Sequence, residues 1–379
     1  MVTTIARTSP RSPSRYAIGL VILCVVQAAC GSPPTASSSA PSLTPTTVAE
    51  STSTPQTATV APSASRPSAP TQVDEPWIGY QWARAGGDGI YLVRPDGTES
   101  HELLPDATYD AFHPDWSPNG AQIAFDAATD DGFEIWVVNA DGTNAAAIVR
   151  RSIDCSISCG EVAEPAWSRD GSKIAFVRFQ LGASGFEAAV IEVQDVASGD
   201  RRVVFRAPLK TALDDPRWSS DGQSIVFTMT RYPDTQITTG TATGSAIAVV
   251  DLTKEAAEPI VLTDWSMFAN YPDWRPGSDE IVFSTYGLGE FKSTDEPSNL
   301  YTIKPDGSGL TALTSFGRAE QRATQPTWTP DGSRIIFVLV GQHADFDNPR
   351  NAAFIDANGT NLVDIGVSAT HPRLRPGTP

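Results

Sequence analysis

The sequence predicts an all-β protein, a six-bladed β-propeller of four-stranded blades whose ring is closed by the C-terminal strand joining the N-terminal blade. Three observations predict it. A frame of Pro, any residue, Trp, a turn and an apolar triplet ending in Phe recurs five times. Within each recurrence the same order of short strand-like runs and turns follows. The two ends of the repeat region read as complementary fragments of a sixth unit.

The frame appears as HPDWSPNGAQIAF from His113, EPAWSRDGSKIAF from Glu164, DPRWSSDGQSIVF from Asp215, YPDWRPGSDEIVF from Tyr271 and QPTWTPDGSRIIF from Gln325. The repeated Trp residues, 116, 167, 218, 274 and 328, are spaced by 51, 51, 56 and 54 residues, a period of the propeller and solenoid class. Pro-x-Trp opens strand one. A turn such as SRDG leads to strand two, KIAFV in the second unit. A loop of variable length precedes strand three (EIWVVN, AIAVVD, NLYTIK), and a second Asp-Gly turn precedes a short strand four (PIVLT, LTALT). Asp-Gly between β-rich runs is a hairpin signal because glycine supplies the positive φ that such turns need. Four antiparallel strands per unit, repeated, make a propeller.

Residues 77–104 hold strands two, three and four of a blade that lacks its first. The C-terminal HPRLRPGTP, from His371, is a first strand with Leu374 at the Trp position, 46 residues after Trp328. Pairing the two removes the open sheet edges that natural proteins avoid.

The motifs PDWSPNGAQIAF and PTWTPDGSRIIF resemble the TolB-like propeller repeat, and the resemblance covers residues 76–379. It implies the propeller fold. It leaves function broad, since such propellers include envelope pore-complex scaffolds, propeller domains of peptidases and some polysaccharide lyases.

Ahead of the propeller, residues 1–30 read as an export signal of bacterial lipoprotein type. Arg7, Arg11 and Arg15 precede the apolar run YAIGLVILCVV, and QAAC ends at Cys30. The resemblance to lipoprotein signals implies a lipid on Cys30, which holds a protein at a membrane without spanning it. Residues 31–75, rich in Ser, Thr, Pro and Ala above all over 32–72, have little to bury and read as a disordered tether. The expected location is extracytoplasmic, lipid-anchored to the cell membrane.

The first 74 residues hold four Arg and two acids, which leaves 23 basic and 42 acidic residues beyond them, a net of −19. That field repels nucleic acid and anionic lipid. Two cysteines fall in the propeller, Cys155 and Cys159 of CSISC. In an exported protein so close a pair reads as a local disulfide that shapes a loop.

The repeated Trp and Phe125, Phe176, Phe227, Phe283 and Phe337 are expected to pack between blades. The Asp of each Asp-Gly turn, Asp141, Asp170, Asp221, Asp306 and Asp331, is read as turn chemistry rather than as a calcium ligand. The residue before the repeated Pro behaves differently. Around the ring it is His371, His113, Glu164, Asp215, Tyr271 and Gln325, six polar side chains expected at the mouth of the axial channel. The connections after strands two and four, which carry the irregular lengths, open on the same end. A rigid scaffold presenting such loops is the usual setting for binding. His113, His371, Glu164 and Asp215 are also the candidate ligands for a divalent metal, since imidazole and carboxylate suit such ions.

No Gly-x-Ser-x-Gly elbow occurs and the chain has four His, so no Ser-His-Asp triad can be assigned. The expectation is a monomeric, non-catalytic binding propeller with a protein, peptide or glycan partner of the cell envelope. The alternative is a metal-assisted polysaccharide lyase or hydrolase at the channel mouth, using His371, His113, Gln325 and His343, with Arg322 or Arg350 as a carboxylate clamp.

Overall fold

The structure, a computed structural model, describes residues 76–377 apart from 85–86, 152–159, 183–184, 234–241, 255–257, 286–296, 318–320 and 342–349. Cys30, Cys155, Cys159 and His343, and with them the expected signal, tether, lipidation and disulfide, lie outside the described residues.

Six antiparallel sheets of four strands each follow one another along the chain. Blade 1 is Thr370–Leu374, Ile78–Arg84, Gly87–Val93 and His101–Glu102. Blade 2 is Asp110–Trp116, Gln122–Thr129, Gly132–Asn139 and Ala146–Val149. Blade 3 is Glu161–Trp167, Lys173–Gly182, Gly185–Asp195 and Arg201–Arg206. Blade 4 is Thr211–Trp218, Ser224–Arg231, Gly244–Asp251 and Ile260–Val261. Blade 5 is Ala269–Trp274, Ile281–Thr285, Leu300–Ile303 and Thr311–Ala312, and blade 6 is Arg322–Trp328, Arg334–Val340, Arg350–Asp356 and Val363–Ser368. Ile78 pairs with Leu374 and Gly79 with Arg373, so the C-terminal strand is strand one of the N-terminal blade.

The core lies between blades. Each repeated Trp and Phe packs against the blade before it. Trp116 and Phe125 meet Ile90 and Leu92 of blade 1, Trp218 and Phe227 meet Val177 and Ile191 of blade 3, and Trp328 and Phe337 meet Val282 and Leu300 of blade 5. All five Phe are fully buried. At the closing joint Leu374 packs with Ile336 and Phe354 of blade 6.

The turns show why Asp-Gly recurs. Asp170 Oδ1 accepts from Ser172 N at 2.9 Å and from Ser168 Oγ at 2.6 Å, closing the turn on itself. These bonds to the ionised form hold the Asp170 carboxyl down at about 2. Asp141, Asp221, Asp306 and Asp331 likewise accept the backbone N–H two residues on. Gly142 of the ADGT turn has φ 80°, and a Cβ there would lie 2.6 Å from Leu103 O, so glycine is needed for both conformation and space. Among the described residues no helix is long and apolar enough to cross a membrane.

Candidate functional site at the axial ring

The repeated proline does more than open a strand. Strand one begins earlier than the sequence reading placed it, at Asp110 rather than His113 in blade 2 and at Glu161 rather than Glu164 in blade 3. The residues ahead of the proline extend the ladder, so the pre-proline residues stand part-way along strand one.

At that point the strand bulges. In blade 2 Phe112 pairs with Asp126 and Asp115 with Ala124, so His113 and Pro114 together face the single residue Phe125. The same register shift occurs in blades 3, 4, 5 and 6. The first residue of each bulge is left-handed, with φ 48° at His113, 58° at Glu164, 53° at Asp215, 54° at Tyr271, 54° at Gln325 and 50° at His371. Glycine is the usual occupant of such a bulge position, and a following proline restricts the residue further. Each therefore costs on the order of 1–3 kcal/mol locally, held in place by the surrounding sheet.

The bulge breaks the alternation of strand one and brings the six side chains together across blades. The rings of His113 and His371 meet edge to face at 4.5 Å between centroids, and Tyr271 of blade 5 lies 5.8 Å from His371. Five of the six are buried, with Tyr271 half-buried.

Hydrogen bonds between neighbouring blades hold the ring. Four bulge N–H groups donate to a side chain of the preceding blade. Glu164 N donates to Asp126 Oδ1 at 3.1 Å and His113 N to Gln81 Oε1 at 3.5 Å. Asp215 N donates to Glu164 Oε2 at 2.6 Å and His371 N to Gln325 Oε1 at 2.9 Å. Gln81 and Asp126 occupy one repeat position, directly after the apolar triplet of strand two. In blades 3 and 6 that position is Val177 and Val338, and the pre-proline residue itself, Glu164 or Gln325, supplies the acceptor. The sequence reading missed Gln81 and Asp126. Their signal is a polar residue in the middle of strand two, directly after the repeated triplet.

The network sets tautomers. Because Gln325 Oε1 accepts a backbone N–H, its amide nitrogen faces His371 Nε2 at 3.1 Å and donates to it. The imidazole proton then sits on Nδ1, a buried atom without a hydrogen-bond acceptor. Burial, then the charges of His113, Arg373 and Arg217, hold His371 well below the usual histidine range, so it is neutral. His113 donates from Nδ1 to Asp126 Oδ1 at 2.8 Å. Burial, then Asp215 and Asp214, hold the Glu164 carboxyl well above its usual range, against the bond from Asp215 N. Burial raises Asp215 also, opposed by Arg217, His113 and Arg373.

Three of the four candidate metal ligands are thus already engaged: His113 with Asp126, His371 with Gln325 and Glu164 with Asp215 N. Among the described residues no three His, Cys, Asp or Glu side chains are grouped to share an ion. As arranged, the set does not fit a divalent metal, and no chemistry is routed through one. Arg322, proposed as a carboxylate clamp, is itself buried in strand one of blade 6.

No protein-family profile matches the chain. Among curated proteins it is 25% identical over 204 residues to the uncharacterized peptidase YuxL of Bacillus subtilis, a match covering 46% of this chain and 29% of the relative. It is 28% identical over 119 residues to the Tol-Pal system protein TolB of Albidiferax ferrireducens, covering 31% of this chain and 25% of that protein. The matches thus span under a third of the length of these curated relatives. Among solved structures, TolB from Acinetobacter baumannii aligns with a TM-score of 0.57 at 13% identity, over 79% of this chain and 66% of that one, a likeness of fold. The chain is a six-bladed β-propeller closed by its C-terminal strand, similar in sequence to TolB proteins over part of its length and in fold to TolB from Acinetobacter baumannii.

Proposed function

We propose that the chain is a non-catalytic binding propeller, exported and held outside the cell membrane by a lipid on Cys30, that offers its loop end and axial ring to a protein, peptide or glycan of the envelope. One observation carries the reading. The polar groups at the axis hold one another and the strained bulges across blade boundaries, so they build a rigid frame rather than a reacting centre. The variable connections between strands two and three, read from the sequence, are the segments proposed to meet the partner. Similarity to Tol-Pal system proteins supports a role as one component of a multi-protein system.

The test places a photo-crosslinking residue at half-buried Tyr271 in one sample and at turn residue Asp306 in another, each in the full chain expressed in a bacterial envelope. Adducts from position 271 and none from position 306 are expected. Adducts confined to position 306, or ultraviolet absorbance from unsaturated product when uronate polysaccharides are added, would overturn the reading.

A further inference from the structure

Below the pre-proline ring, towards the Asp-Gly turns, lies a second level that the binding reading does not use. The residue after each proline occupies it: Asp115, Ala166, Arg217, Asp273, Thr327 and Arg373 in blades 2, 3, 4, 5, 6 and 1. In a six-membered ring, blades 4 and 1 are opposite, as are blades 2 and 5. Two arginines therefore face across the axis, and two aspartates face across it on another diameter.

The aspartates are engaged. Asp115 Oδ2 accepts from Trp167 N at 2.7 Å and Asp273 Oδ2 accepts from Trp328 N at 2.8 Å, each tying its blade to the next. The arginines have donors to spare. Arg217 is buried, gives Nη1 to the carbonyl of its own neighbour Pro216, and its buried Nε has no acceptor. Arg373 Nε is likewise buried without a hydrogen-bond acceptor, and its nearest carboxylate oxygen, Asp115 Oδ1, stands 3.6 Å away. Burial, and then repulsion from Arg217, lowers Arg373 to about 10, still charged at neutral pH. From blade 3, Arg169 reaches past blade 4 to donate to Trp274 O of blade 5 at 3.1 Å, adding a third guanidinium at the turn end.

A buried guanidinium needs acceptors in its own plane, and a carboxylate offers two oxygens that match its fork. We infer that the turn end of the axial channel is a binding site for a small carboxylate, held between Arg217 and Arg373. The ligand must be small, because the Arg373 and Asp115 side chains are only 12% and 16% exposed. It should carry a single charge, because Asp115, Asp273 and Asp215 already act on Arg373, and Asp215 and Asp273 on Arg217, and they repel a second one.

Isothermal calorimetry with acetate, at constant ionic strength in chloride, tests this on the full propeller, with sulfate as the divalent comparison. Saturable acetate binding with Kd of about 1–10 mM is expected for so few atoms, with sulfate weaker. Arg217→Gln and Arg373→Gln should each weaken acetate by roughly 10-fold, while Arg202→Gln, on the exposed outer strand of blade 3, binds as the unsubstituted protein does. Circular dichroism confirms folding, and Arg217→Lys and Arg373→Lys, which keep the charge, should fall between. Absence of saturation, tighter binding of sulfate, or unchanged acetate affinity in both folded Gln variants overturns the inference.

Discussion

A residue ahead of a proline resists left-handed backbone, yet six of them adopt it around one axis. None is β-branched: His, Glu, Asp, Tyr and Gln tolerate the conformation that Val, Ile or Thr would not. The pKa shifts of this ring have consequences at the same scale. Glu164 is raised in the folded state, so as pH climbs above its ordinary value of 4.5 the unfolded chain sheds a proton that the folded one keeps. The unfolded state is then favoured, and stability falls as pH rises towards the folded value. His371 works at the other end: lowered when folded, it costs stability as pH falls below its ordinary 6.5. Glu164→Gln keeps an oxygen to accept from Asp215 N and removes the titration. Its urea midpoint, relative to the unsubstituted protein, should rise from pH 5 to pH 8. The His371 contribution cancels in that difference, so a flat or falling difference would show that Glu164 ionises normally.

At the scale of the element, the unit of stability is the joint between blades. Trp218 fills the space between blades 3 and 4 and donates Nε1 to Ala166 O at 3.1 Å; Trp116 does the same to Arg373 O at 3.1 Å. Trp218→Ala leaves a large cavity and an orphaned carbonyl, and should cost about 3–5 kcal/mol by chemical denaturation. A loss under about 1 kcal/mol would mean that the joint collapses around the gap. The turns contribute differently: Asp170 stabilises by bonds to its ionised carboxylate, a contribution lost as pH falls through its low folded value of about 2, and hydrogen bonds lower Asp141, Asp221, Asp306 and Asp331 in the same direction.

For the whole molecule the decisive contact is Ile78–Leu374, where the chain's two ends share a sheet. Removing residues 370–379 deletes strand one of blade 1, leaves Ile78–Arg84 with an open edge, and takes His371 and Arg373 from the axis. The truncated chain should lose its single cooperative melt, and proteolysis should start within 76–105. A melt matching that of the full chain would show that closure is not what holds the ring.

Much of this was legible in order along the chain. Trp116, Phe125 and their repeats announced the blade joints because burial imposes one residue type at one repeat position, and the HPRLRPGTP fragment announced closure by its place in the period. The axial chemistry was half legible. The six pre-proline residues were identified by variation within a fixed frame, but their left-handed bulge was not, because φ depends on the sheet that overrides local preference. Gln81 and Asp126 were passed over, since a lone polar residue within a strand carries no meaning until the next blade's N–H is brought to it. By itself, the sequence determined the strand order, the blade count and the packing joints, all consequences of periodic burial. Only the tertiary structure decided which polar groups meet at the axis, that His371 is neutral, and that Arg217 faces Arg373, because those relations join residues separated by whole blades and exist only once the ring has closed.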